Sequence, residues 1–142
     1  MKLIRTIDVS SEEFYDYLES QLLKDIKVST GHLLTPKNIK GGLIYKKRPK
    51  KTQGVLTIKI DDYQRGYKYQ VTSKSPLEQV TVIYTTESIS ERQTKVTLIE
   101  NISSYNPNKH HLFIRWFSEA SFLGRMSDTV FGIEKGILDQ RE

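Results

Sequence analysis

The sequence predicts an α+β domain in which one antiparallel sheet packs against a long C-terminal helix. Three observations support this fold class: a branched apolar strand followed at once by a capped helix, a middle region whose apolar residues recur at every second position, and a final stretch of 34 residues with helical spacing. A period of two indicates strands and a period near 3.6 indicates helices. At 142 residues the chain has room for a single domain, 1–142, with a packed core.

The composition is that of an ordinary globular protein, with 37% hydrophobic and 27% charged residues. Cysteine is absent, which excludes disulfides and thiolate chemistry and fits a reducing cytoplasm. Lys2, Arg5 and Asp8 interrupt the N-terminal apolar residues, so we expect neither a signal peptide nor an anchor at the start. No apolar run approaches the ~18 residues of a membrane span. We therefore expect a cytoplasmic protein.

The first strand is predicted from Lys2 to Val9, and the helix after it has complete start signals. Ser10 is the N-cap, Glu13 closes a capping box, and Val9 and Phe14 form a hydrophobic staple. One apolar stripe continues along the helix, with Glu12, Glu19 and Lys24 on other faces; its members are Phe14, Leu18, Leu22 and Ile26. The following "STGHLLTPKNIKGG" predicts an irregular link with at most one short helical turn.

The middle of the chain predicts an antiparallel meander. Its strands are expected at about Leu43 to Lys47, Val55 to Tyr63, Tyr67 to Ser73, Glu78 to Ser88 and Lys95 to Ile102. With the N-terminal strand, the sheet has six or seven strands. Short turns between them favour antiparallel pairing.

Tyrosines stand out on the predicted buried face of this sheet. Alternation places Tyr45, Tyr67, Tyr69 and Tyr84 there, beside Val82 and Leu98 among other apolar residues. A buried phenol needs a hydrogen-bond partner, which a ligand or an ordered water could supply. The alternative is that the hydroxyls reach the rim and meet solvent, the commoner arrangement for tyrosine.

The final helix should cover the sheet, since ~30 residues at 1.5 Å each extend ~45 Å. Its broad apolar side comprises Phe113, Trp116, Phe117, Ala120, Leu123, Val130, Phe131, Ile137 and Leu138. Gly124, Gly132 and Gly136 each cost about 1 kcal/mol relative to alanine in a helix. They either leave room for a ligand above the sheet, or let backbones approach closely and the helix kink at Gly124.

Two stretches, "IDVSSEEFYDYL" at the first strand-to-helix junction and "HHLFIRWFSEASFLGRM" in the last helix, carry a resemblance to the START-like (SRPBCC) superfamily with its helix-grip fold, which includes pollen allergens and polyketide cyclases. Within it, the capped helix start and "GGLIYKK" resemble the uncharacterised bacterial domain of unknown function family 3284. The resemblance implies a curved sheet wrapped around the last helix, with a space between them that often holds an apolar ligand. The cavity residues expected here are Tyr45, Tyr67, Tyr69, Tyr84, Glu100, Trp116, Ala120 and Gly124.

Glu100 falls in register with the apolar face, where an unpaired carboxylate is costly. Arg5 is likewise a charged residue on the apolar face of the first strand, between Leu3 and Ile7. If the first and last strands are neighbours, as in the helix-grip fold, the two charges can pair across strands. We hypothesise this pair as a structural feature, with ligand recognition by Glu100 as the alternative.

The net charge of +5 is concentrated in "KKRPKK". Without its five basic residues the chain has 17 basic and 17 acidic side chains; the five are Lys46, Lys47, Arg48, Lys50 and Lys51. They either protect a hairpin from edge-to-edge association or contact an anion such as a phosphate, RNA or an acidic membrane. Sequence-specific nucleic-acid recognition is not predicted, because no aromatic residues are interleaved.

No catalytic, metal or cofactor motif is present. His110 and His111 project about 100° apart on a helix and cannot chelate one ion together. We therefore expect a protein that binds a small apolar or amphipathic molecule in the cavity. Two alternatives remain: an interaction module that contacts an acidic protein partner through Lys46 to Lys51, and a cyclase-like or hydrolase-like enzyme with Tyr69, Tyr84 and Glu100 as acid and base.

Overall fold

Six strands form one antiparallel sheet in the order β1-β6-β5-β4-β3-β2. The structure, a computed structural model, describes residues 1–48, 54–76, 78–104 and 119–141, and of residues 104 and 119–126 the backbone alone. The strands are β1 (Lys2–Ile7), β2 (Ile44–Lys47), β3 (Leu56–Gln64), β4 (Lys68–Lys74), β5 (Glu78–Ser90) and β6 (Gln93–Ser104). The predicted meander is therefore confirmed, with bounds shifted by at most two residues.

Two helices within the described residues pack on one face of the sheet, which we call the inner face. The first, α1 (Ser11–Thr30), begins with the predicted capping box: Glu13 N–H donates to Ser10 Oγ and Ser10 N–H donates to Glu13 Oε1, both at 3.1 Å. It ends at Gly31, whose φ of 78° favours glycine and whose N–H donates to the Lys27 carbonyl. A 3-10 turn at Pro36–Asn38 is the short helical turn predicted for the link.

The second helix, α2 (Glu119–Gln140), is the described part of the predicted long helix. Phe113, Trp116 and Phe117 lie outside the described residues. Val130 and Ile137 are buried as predicted, but Phe131 and Leu138 are 41% and 37% exposed. The prediction for these two was wrong because α2 packs against β1 and α1 through a narrower stripe than its apolar residues suggested.

The core consists of two clusters that share the inner face. One joins the first half of α1 to α2, β1, β5 and β6, and the other joins the second half of α1 to β2 and β3. Buried members of the second include Leu22, Ile26, Tyr45 and Ile60. Among the described residues, therefore, the first helix rather than the last covers the β2–β3 side of the sheet.

Strand β3 contains a β-bulge that the sequence analysis did not predict. Ile60 is opposite Val71 and Asp62 is opposite Gln70, so Asp61 is an extra residue between them. An extra residue inverts the alternation of the strand beyond it. Ile58 and Ile60 face inward before the bulge and Tyr63 faces inward after it, opposite Tyr69.

Glycines in α2 have different surroundings. A Cβ built on Gly136 would lie 2.7 Å from Cζ of Tyr17, so this glycine lets α1 and α2 approach closely. A Cβ on Gly132 would meet nothing within 4 Å, because this residue faces outward. Neither leaves space above the sheet, which corrects the ligand-room interpretation for both; the prediction for Gly124 lies outside the described side chains.

Candidate functional site

Five aromatic rings form a closed circuit on the inner face. Strands β3, β4 and β5 supply Tyr63, Tyr69 and Tyr84, and α1 supplies Phe14 and Tyr15. Neighbouring ring centroids around this aromatic circuit are 5.3 to 6.2 Å apart. Tyr69 and Tyr84 are directly opposite in register and stack with an interplanar angle of 28°.

Three inner-face tyrosine hydroxyls have partners within the protein. Tyr15 Oη and Thr86 Oγ1 are 2.8 Å apart, and Tyr45 donates to Asp25 Oδ2 at 2.5 Å. Tyr63 donates to the carboxylate of Glu19. These hydroxyls are therefore committed to holding α1 against the sheet.

The hydroxyls of Tyr69 and Tyr84 differ from the other three. Within the described ranges, neither has a hydrogen-bond partner, although Tyr84 is only 8% exposed and Tyr69 packs against both core clusters. Burial raises the pKa of Tyr84 to about 12, and the charge of Glu100 contributes in the same direction. Burial also raises the pKa of Tyr69. Both phenols are thus protonated near pH 7 and can donate hydrogen bonds.

Glu100 is half-buried on the inner face beside these two phenols. It is opposite Val82 in β5, two residues from Tyr84. Both polar groups of its backbone are hydrogen-bonded to Met1: the N–H donates to the Met1 carbonyl at 2.9 Å, and the carbonyl accepts from the Met1 amino group at 2.8 Å. Its carboxylate has no ion pair within the part of the chain that the structure describes.

The hypothesised pair between Arg5 and Glu100 is wrong, although β1 and β6 are neighbours. Arg5 is opposite Val96, four residues along β6 from Glu100. Four residues span roughly 13 Å of an extended strand, too far for an ion pair. Instead Arg5 Nε donates to Ser127 Oγ of α2 at 3.3 Å, and Nη1 donates to the Ile4 carbonyl at 2.8 Å.

Buried polar groups on α1 were missed by the sequence analysis. Glu19, predicted on an outer face, is 8% exposed and binds both Tyr63 and Arg65, whose Nη1 lies 3.0 Å away. Burial raises the pKa of Tyr63, and the hydrogen bond to Glu19 raises it further. The available signal was spacing: Glu19 follows Tyr15 by four residues, and Tyr15 precedes Leu22 by seven, which places all three on one side of the helix.

Tyr67 does not join the aromatic circuit. It lies in the turn between β3 and β4 and is 58% exposed, so its predicted place on the buried face was wrong. Alternation does not extend into a turn, and β4 begins only at Lys68. Tyr45 is buried, but its hydroxyl binds Asp25. Trp116 lies outside the described residues and Ala120 and Gly124 outside the described side chains, so these three stay predictions.

The basic stretch begins within β2. Lys47 Nζ pairs with Asp25 at 3.1 Å, whereas Lys46 and Arg48 are exposed and have no ion pair among the described residues. Lys50 and Lys51 lie outside them. Alternation in β2 therefore gives Lys47 a structural role and turns Lys46 away from the inner face.

A family model described as "Domain of unknown function (DUF3284)" matches residues 1–118. The chain belongs to this family. A search of curated proteins gives no significant match. Among the described residues, no helix is both long and apolar enough to cross a membrane.

Solved structures similar to this chain have the helix-grip fold. The Zhui aromatase/cyclase from Streptomyces sp. R1128 is 7% identical with a TM-score of 0.65, over 100% of this chain and 94% of that one. Norcoclaurine synthase from Thalictrum flavum is 8% identical with a TM-score of 0.62, over 97% and 85%; it is also matched as a complex with dopamine and hydroxybenzaldehyde. Ara h 8.0201 is 13% identical with a TM-score of 0.57, over 96% and 93%. The predicted α+β helix-grip fold is thus confirmed.

Proposed function

We propose that this protein binds a small aromatic or amphipathic molecule on the inner face of the sheet, between the aromatic circuit and the C-terminal helix. Tyr69 and Tyr84 donate hydrogen bonds to an acceptor atom of the ligand, and their stacked rings pack against its apolar part. Glu100 accepts a hydrogen bond from a donor group of the same molecule.

One observation carries this proposal: the tyrosines of the inner face divide into two sets. Tyr15, Tyr45 and Tyr63 have protein partners, whereas Tyr69 and Tyr84 have none in the described part of the chain. Ser11 Oγ is the only fully buried side-chain oxygen or nitrogen without a partner in the described part of the chain, so the hydroxyls of Tyr69 and Tyr84 are accessible from the inner face rather than sealed in the core. A phenylalanine would fill either position without presenting a donor there. Two such hydroxyls side by side are explained by a ligand that pairs them.

The surrounding side chains support a space rather than a solid core. Positions on the inner face beyond the aromatic circuit are only half-buried, although they are mostly apolar: Val71, Ser73, Val80, Val82 and Ile102. The fold points in the same direction, because the similar structures include a cyclase and a synthase whose structure contains two small aromatic molecules. Their identities of 7% and 8% carry the fold and not the ligand.

Native mass spectrometry of the full chain, followed by solvent extraction of the sample, tests the proposal. We expect a fraction of the freshly purified protein to carry extra mass that disappears on denaturation. An aromatic probe such as 8-anilinonaphthalene-1-sulfonate provides a second measurement, with competition by any extracted compound. The proposal would be contradicted if the purified protein carried no extra mass and did not bind the probe.

Tyrosine-to-phenylalanine variants provide matched controls. Tyr69→Phe and Tyr84→Phe each remove a donor to the ligand and should weaken binding about fivefold to tenfold. Tyr67→Phe removes an exposed hydroxyl and should leave binding unchanged. Equal affinities for all three variants would mean that the unpaired phenols do not contact the ligand.

The enzyme alternative uses the same site, and one measurement distinguishes it from non-enzymatic binding. Tyr84 is protonated near neutral pH and can donate a hydrogen bond to a developing negative charge, although its pKa of about 12 makes it a weak proton donor; the carboxylate of Glu100 beside it can act as a base. A catalytic role requires turnover of the extracted compound that is lost in Glu100→Gln while binding persists. Binding without turnover supports the non-enzymatic proposal.

A further inference from the structure

The surface around the end of α1, the link after it and β2, which we call the basic end, carries the net positive charge of the chain. Residues 24–48 contain seven lysines and arginines and one acidic residue, Asp25. The rest of the chain has fifteen basic and sixteen acidic residues. The basic end is therefore strongly positive, while the remainder is nearly neutral.

The cations of the basic end are exposed and, but for one, unpaired. Lys47 pairs with Asp25. The other six are exposed and have no ion pair within the described residues: Lys24, Lys27, Lys37, Lys40, Lys46 and Arg48. Elsewhere Arg65, Lys68 and Arg141 each have an acidic partner. Lysines without an ion pair among the described residues, such as Lys59 and Lys135, occur there too, but that part of the chain has as many acidic as basic residues to within one.

Two large apolar side chains are exposed in the same part of the chain, one near the end of α1 and one in the link after it. Val28 is 80% exposed and Leu33 is 76% exposed, more than any other large hydrophobic residue described. Val28 is two positions after the buried Ile26, about 200° around α1, so it points away from the core. Leu33 is kept beside the helix end because His32 N–H donates to Thr30 Oγ1 at 3.1 Å.

We propose that the basic end docks the protein on the surface of a membrane that contains anionic lipid. Exposed apolar side chains next to unpaired lysines are a combination that binds at a bilayer interface: the cations meet the headgroups and the apolar side chains enter the acyl boundary. An RNA partner would contact the cations but offers no apolar environment for the side chains of Val28 and Leu33. An acidic protein would need a groove for them, whereas both lie on a helix end and a link that project outward. The inference is independent of the ligand proposed for the inner face.

Sedimentation of the full chain with lipid vesicles tests this inference. We expect binding to phosphatidylcholine vesicles that contain about 30% phosphatidylserine, no binding to pure phosphatidylcholine, and loss of binding as salt rises from about 0.1 M to 0.5 M. Failure to bind the anionic vesicles at the lower salt concentration, or equal binding to neutral ones, would overturn the inference.

Variants separate the charged from the apolar contribution. Lys24→Gln with Lys27→Gln should weaken vesicle binding about 25-fold, roughly fivefold for each cation. Val28→Ser with Leu33→Ser should weaken it at least about tenfold. Both pairs are exposed, so unchanged thermal unfolding is expected to show that the fold is intact. Lys135→Gln on α2 and Ile89→Ser, which is 51% exposed near the end of β5, are the matched controls.

A homopolymeric RNA in the same assay tests the competing partner. RNA binding as tight as vesicle binding, lost with the lysines but unchanged by Val28→Ser with Leu33→Ser, would overturn the membrane assignment in favour of a nucleic acid. Control variants that weaken vesicle binding as much as the two test pairs would overturn it in favour of non-specific attraction.

Discussion

Replacing Tyr63 by phenylalanine should destabilise the protein far more than the same change at Tyr69. The Tyr63 hydroxyl donates to Glu19, which is 8% exposed, and hydrogen bonds to charged groups contribute about 1.5–3 kcal/mol. Because Arg65 Nη1 still lies 3.0 Å from Glu19, we expect a loss of about 2 kcal/mol rather than the full range. Tyr69→Phe removes a hydroxyl with no described partner and should change the free energy of unfolding by less than about 0.5 kcal/mol.

Urea unfolding followed by circular dichroism at pH 7 measures both variants. For a small domain with a slope near 2 kcal/mol/M, a loss of about 2 kcal/mol lowers the midpoint by roughly 1 M. Tyr84→Phe should behave like Tyr69→Phe. Equal midpoints for the Tyr63 and Tyr69 variants, or a loss above about 1 kcal/mol for Tyr69→Phe, would refute the division of the tyrosines into paired and unpaired sets.

Three further predictions concern the helices. Gly132→Ala should raise the free energy of unfolding by about 1 kcal/mol, as expected for an open helix position. Gly136→Ala should lower it by about 1 kcal/mol, because the added methyl group displaces the ring of Tyr17. Chemical unfolding of the two variants measures this difference, and equal effects would contradict the packing. Ser10→Ala should cost about 1 kcal/mol through loss of the N-cap, whereas Ser11→Ala should be neutral or stabilising, since Ser11 Oγ is buried without a partner in the described structure; a larger loss at Ser11 would reverse this assignment. A hydrogen bond from Arg141 lowers the pKa of Glu13 from 4.5 to about 2, so the stabilisation that the ionised Glu13 provides is present above pH 4.5 and is lost as pH falls towards 2. Thermal unfolding across that range should show this loss in the wild type and not in Glu13→Gln; the same pH profile for both would argue against the pair.

Local patterns in the sequence predicted most of the secondary structure correctly. The capping box at Ser10 fixed the start of α1 to the residue, because its signal is confined to a few neighbouring positions. Alternation placed Tyr84 of β5 and Leu98 of β6 on the same buried face, and both are buried there, opposite each other. Each of these features depends on residues close in sequence, which is why a single sequence suffices to find them.

The candidate site was predicted only in part, since it depends on contacts between distant segments. Tyr69, Tyr84 and Glu100 were placed on the inner face by alternation alone. Helical spacing could have placed Glu19 on the buried side of α1, but the partners that compensate its charge, Tyr63 and Arg65, are more than forty positions away. The register between β1 and β6, which separates Arg5 from Glu100, is likewise invisible in either strand by itself.

The extra residue Asp61 makes the length of β3 a determinant of its chemistry. Removing Asp61 would remove the bulge and leave a regular ladder, in which Asp62 stays opposite Gln70 and Tyr63 still faces inward opposite Tyr69. Removing Asp62 as well would place Tyr63 directly after Ile60 and turn its ring towards solvent, so the aromatic circuit would open and Glu19 would lose its phenol. Relatives that keep this site should therefore tolerate loss of the bulge residue, whereas family members that lack both residues should have abandoned it.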